Sequence, residues 1–127
     1  MRPELRAGAA YAGAMFGLGA LFGPLRELAL APRLGATVAA AVEAAPMLLG
    51  MAVLAPRLAR RLGVPPALPA RLAMGAAGLL LLIVAETALD WLVRGRGLWL
   101  DRMRSPAGWI GLGLLAAFAA MPALRRR

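Results

Sequence analysis

Four long apolar runs divide the chain, and arginine bounds nearly every one. Ala7 to Leu25 holds no charge between Arg6 and Arg26. Leu34 to Pro56 holds one, Glu43, between Arg33 and Arg57. Leu72 to Val93 holds Glu86 and Asp90 between Arg71 and Arg94, and Ser105 to Leu124 holds none between Arg104 and the closing triplet Arg125, Arg126 and Arg127. A helix needs about 20 predominantly apolar residues to cross the hydrocarbon core of a bilayer, and each run is about that long. None alternates apolar and polar with period two, as the strands of a membrane barrel do. In lipid each backbone N–H must be bonded within its own segment, so every run should be helical. The pattern predicts an all-α polytopic membrane protein: four transmembrane helices near 7–29, 34–56, 70–93 and 106–124, in an antiparallel bundle forming one domain over 1–127. The apolar core of the first run exceeds the roughly 7–15 residues of a signal peptide, so it is expected to stay as a span.

The connections carry the punctuation. Pro32 lies between Arg26 and Arg33. Gly63, Pro65, Pro66 and Pro69 break any helix between Arg57 and Arg71. Arg94 to Arg104 mixes Gly, Trp99 and Leu100 with charges, which suits a short interfacial segment.

Orientation follows from arginine in short loops. The side holding both termini collects nine: Arg2, Arg6, Arg57, Arg60, Arg61, Arg71, Arg125, Arg126 and Arg127. The other collects six: Arg26, Arg33, Arg94, Arg96, Arg102 and Arg104. The excess predicts both termini in the cytoplasm, as for a bacterial inner membrane protein. Trp91, Trp99 and Trp109 all fall at the far boundary, where aromatic belts form.

Composition narrows the chemistry. The chain is 61% hydrophobic with a formal charge of +9, and it has no Cys and no His. Its 15 basic residues are all Arg. Without thiolate or imidazole, the usual nucleophile, base and zinc ligand are missing. Hydroxyls are confined to Tyr11, Thr37, Thr87 and Ser105, so an enzyme is not expected, nor a cofactor or metal. The positive charge lies between apolar runs and not on one soluble face, which points to lipid head groups and topology, not nucleic acid. Arg57, Arg60, Arg61, Arg71, Arg125, Arg126 and Arg127 are the expected contacts with anionic head groups.

The charges inside the spans are the candidate site. Counted from the predicted far-side ends, Glu43 lies roughly 13–14 Å deep and Glu86 roughly 10 Å deep. A charge near mid-bilayer costs about 2.5–3.5 kcal/mol, so a compensating cation is expected. Arg26, at the far end of the first span, can reach inward. Glu86, Asp90 and Arg94 share one helix face at i, i+4, i+8. Pro46 withholds the N–H that would bond the Val42 carbonyl beside Glu43. The expectation is one cluster of Arg26, Glu43, Glu86, Asp90 and Arg94, serving either as an interhelical clasp or as a proton or ion site.

Small residues four apart let membrane helices approach closely. Gly13 and Gly17, and Gly19 and Gly23, are such pairs in the first span, expected to meet a neighbouring helix of this chain, a second copy or another membrane protein. Together these features predict a small non-enzymatic accessory or structural membrane protein. The alternative is a small oligomeric transporter or channel using Glu43 and Glu86.

Overall fold

The computed structural model describes residues 2–94 and 106–125, with the side chains of Glu27, Ala36, Asp90, Val93, Arg94 and Ala107 set aside. Among the described residues all regular structure is helical, in four rods. The first is α1 (Pro3–Leu25), continued by a π-helical segment (Arg26–Leu30) and a short α2 (Ala31–Leu34). The others are α3 (Ala36–Arg61), α4 (Leu68–Arg94) and α5 (Pro106–Leu124). Three rods are long and apolar enough to cross a membrane, and the apolar stretch of the fourth, Gly108–Leu124, is shorter.

Proline sets the helix starts. Pro3, Pro69 and Pro106 each occupy the first or second position, where the missing N–H has no helical partner to lose. Arg2 precedes Pro3 with extended backbone (ψ 146°), the conformation that a following proline favours. Glycine sets the stops. Gly35 (φ 87°) separates α2 from α3. Gly63 (φ 80°) ends α3 in a Schellman turn, in which the Val64 N–H donates to the Ala59 carbonyl at 2.8 Å and the Gly63 N–H to the Arg60 carbonyl at 3.4 Å. The second rod therefore reaches Arg61 and not the expected end at 56, because Pro56 lies within α3 and does not stop it.

The rods pack as a square in which chain order does not follow the perimeter. α1 packs on α3 and α4, and α5 packs on the same two. α3 and α4, consecutive in the chain, therefore stand across a diagonal, joined by the proline-rich stretch 62–67. The closest approaches use glycine. A Cβ added at Gly8 would lie 2.8 Å from the Met74 carbonyl oxygen and 3.0 Å from the Gly78 nitrogen, so α1 and α4 touch backbone to backbone. A Cβ at Gly75 would collide with the Ala119 carbonyl, which brings α5 equally close on the other side of α4.

The core is concentrated in the half of the bundle nearest the termini. Ala7, Tyr11, Met15, Met51, Ala55, Met74, Leu82 and Phe118 are buried together. The opposite half buries the small Ala39 and Ala40 but exposes Leu21, Leu28, Trp91, Leu92 and Trp109.

Candidate functional site

The candidate site begins where the first rod changes its winding. Pro24 removes the donor for the Ala20 carbonyl, and two residues later the helix widens to π geometry, the Ala31 N–H bonding back to the Arg26 carbonyl. Such segments are rare and cluster at functional positions. The widening is bracketed by a second proline, Pro32, which cannot donate into the same turn. Arg26 opens this segment. After the reversal at Gly35, α3 returns alongside and presents Glu43, seven residues from its start, about 10 Å along the helix. Arg26 Nε lies 3.3 Å from Glu43 Oε2. The Glu43 side chain is 11% exposed and that of Arg26 is 34% exposed, so the pair is buried at the acid and open at the base. Pro46, inside α3, has no N–H to offer the Val42 carbonyl one turn earlier.

The structure thus brings Arg26 and Glu43 together. Glu86 is half-buried on α4, which packs on α1 and α5 and stands diagonally from α3. The side chains of Asp90 and Arg94 lie outside those described, as do Arg126 and Arg127. No group of three or more metal-ligating side chains occurs among the described residues.

Arg71, expected among the head-group cations, is turned inward: it is 1% exposed, the largest fully buried side chain among the described residues. Its Nε donates to the Pro65 carbonyl at 3.2 Å, and its Nη1 donates to the Pro122 and Arg125 carbonyls at 3.3 and 3.1 Å. The last carbonyls of a helix have no helical donors. Arg71 supplies donors from α4 to the end of α5, and the planar five-donor guanidinium suits that task.

Two further bonds follow the same logic. Pro122 has no N–H for the Phe118 carbonyl four residues earlier, and the Tyr11 hydroxyl donates to that oxygen at 2.9 Å. The Tyr11 and Phe118 rings stack with centroids 4.0 Å apart. Pro56 likewise frees the Ala52 carbonyl in α3, and Arg125 Nε donates to it at 3.3 Å. Read from sequence, Tyr11 is no more than a hydroxyl and Arg125 no more than a head-group cation. The signal that finds their roles is the fourth residue before each interior proline, a carbonyl that must find a donor elsewhere.

The glycine pairs of the first span divide. A Cβ at Gly13, Gly17 or Gly23 would meet nothing within 4 Å, and one at Gly19 would reach only Met47 Cε at 4.0 Å. Gly13 and Gly17 are exposed on the outer face of α1, in line with exposed Ala9. Comparison of the chain with known family models, with curated proteins and with solved structures finds no match.

Proposed function

We propose that the chain is a non-enzymatic accessory component of a membrane, packing laterally against a second copy or another membrane protein through the outer face of α1. The observation that carries this reading is the contrast between its glycines. Gly8, Gly75 and Gly78 are used up in close contacts within the bundle, whereas Gly13 and Gly17 leave room that none of the described residues fills. Small residues on a lipid-facing helix side permit close approach of another helix. The natural setting is a bacterial inner membrane with both termini cytoplasmic, on the nine-to-six arginine excess. Reporter fusions at residues 64 and 127 should both read cytoplasmic.

The test is cross-linking and co-purification of the full chain in mild detergent, with and without Gly13→Leu and Gly17→Leu. Loss of a self- or partner-contact in the variants supports the reading; an unchanged pattern refutes it. A second reading, a small oligomeric transporter or channel using Glu43 and Glu86, draws support from the Arg26–Glu43 pair in the loosely packed half beside a π-helical segment. Ion or proton flux that survives Glu43→Gln and Glu86→Gln would remove it.

A further inference from the structure

We infer that Glu86 latches the start of α5 to α4, its carboxylate accepting from the backbone N–H groups of Gly108 and Trp109. This goes beyond the lateral-contact reading, and it gives Glu86 a site of its own, apart from the Arg26–Glu43 pair.

The register between α4 and α5 brings these groups together. The two helices run antiparallel: Arg71 donates to the Pro122 and Arg125 carbonyls, and a Cβ at Gly75 would meet Ala119. Each step forward on α4 is then a step back on α5. Glu86 stands eleven residues past Gly75, about 16 Å along the helix, and the residue eleven before Ala119 is Gly108. Facing agrees with height. Arg71, Gly75, Gly78, Leu82 and Glu86 follow at three- and four-residue steps, so they share one side of α4. The first four are buried, and Arg71, Gly75 and Gly78 lie against α5. Glu86 is the next step on that side and is half-buried.

The start of α5 needs an acceptor. The first N–H groups of a helix have no carbonyl within it to bond. Here they belong to residues 107, 108 and 109, since Pro106 has none. α4 continues eight residues past Glu86 to Arg94, about 12 Å, so this helix end is set back from the end of its neighbour. In lipid such N–H groups depend on an acceptor from the protein, and the helix dipole favours an anion there. Glu86 and Gly108 each take part in a polar contact. A glycine can do so only through its backbone, and the Gly108 carbonyl already has a donor one turn on in its own helix.

Little else secures that end. Among the described residues none from Pro106 to Ala117 is fully buried, and a Cβ at Gly111 or Gly113 would meet nothing within 4 Å. α4 therefore grips α5 at both ends, with a cation at its last carbonyls and an anion at its first amides. Release of Glu86 frees the glycine-rich half of α5 while the half from Phe118 onward stays packed.

Amide hydrogen exchange of the full chain in detergent, read by mass spectrometry, tests this. Glu86→Leu should speed exchange over residues 107–113 on the order of 10- to 100-fold, the weight of a hydrogen bond to a charged group, and leave residues 118–121 unchanged. Glu86→Gln keeps a neutral acceptor and should speed it less. Arg71→Met should loosen the opposite end, at 123–125, and leave 107–113 unchanged. Unchanged exchange over 107–113 in Glu86→Leu would overturn the assignment. So would loosening of residues 26–34 in its place, since Glu86 would then belong with Arg26. A uniform rise across all helices in both Glu86 variants would overturn it as well, because a latch acts locally. Association through Gly13 and Gly17 is read by a separate assay, so the two readings fail independently.

Discussion

Replacing Tyr11 by Phe deletes one oxygen from the centre of the bundle and leaves the ring stack on Phe118 in place. What is lost is the donor to a carbonyl that Pro122 has already deprived of its helical N–H. Interhelical hydrogen bonds in membrane proteins average about 0.6 kcal/mol and reach about 1.7. An acceptor with no helical alternative, buried beside Phe118, belongs near the upper end, at about 1.5 kcal/mol. Pro122→Ala supplies the check. It restores an N–H to α5, so the Phe118 carbonyl regains its own partner and the hydroxyl becomes dispensable. In that background Tyr11→Phe should cost less than about 0.5 kcal/mol, a coupling of about 1 kcal/mol. Reversible unfolding in mixed micelles measures all four states of the cycle. An equal cost of Tyr11→Phe in both backgrounds would refute the idea that proline created the need for the tyrosine.

Gly75→Ala should destabilise the bundle by about 1–3 kcal/mol, because the new methyl meets the Ala119 backbone; Gly13→Ala should be neutral or stabilising by about 0.5–1 kcal/mol from helix propensity alone. The same unfolding assay separates them. Arg71→Met should cost about 2–4 kcal/mol by stranding carbonyls at the end of α5, with Arg71→Lys failing to rescue it, and limited proteolysis should show the C-terminus released. Arg26→Ala should destabilise more than Arg26→Ala combined with Glu43→Gln, since a mostly buried carboxylate left without its cation is worse than none; strictly additive thermal shifts would show that the pair is not coupled.

The helices are legible in the sequence because lipid leaves few alternatives: an apolar run of that length between arginines must satisfy its own backbone. Their ends are less so. Interior prolines read as boundaries, but Pro56 sits inside α3, where the Ala52 carbonyl it frees is taken by Arg125. The Arg26–Glu43 proximity follows from depth and from the antiparallel first and second spans. The helix neighbours of Glu86 do not, since adjacency in sequence suggests that α3 and α4 pack together and the structure sets α4 beside α1 and α5. Glycine spacing does not tell a contact inside the bundle from an outer face. The four-residue pairs of α1 leave open space beside Gly13, Gly17 and Gly23, while the close contacts within the chain use Gly8, Gly75 and Gly78, whose partners lie on other helices. Arg71 shows the limit of charge reading: an arginine at the edge of a span looks the same whether it faces phosphate or a helix end.

The diagonal arrangement bears on how the chain is put together during synthesis. A nascent membrane protein commonly gains stability as successive helices pair, but α3 and α4 are not partners and make no hairpin to lock in. α1 and α4 meet at Gly8 and Gly78, yet the acceptors for Tyr11 and for two of the Arg71 bonds are all supplied by α5 and the residue after it, from Phe118 to Arg125. Until α5 has emerged from the ribosome, a tyrosine hydroxyl and a guanidinium lie among helices with those acceptors missing. Assembly of these helices therefore waits for α5. A chain cut short before α5 should be recognised by membrane proteases as unfinished, although three of its four helices are already inserted.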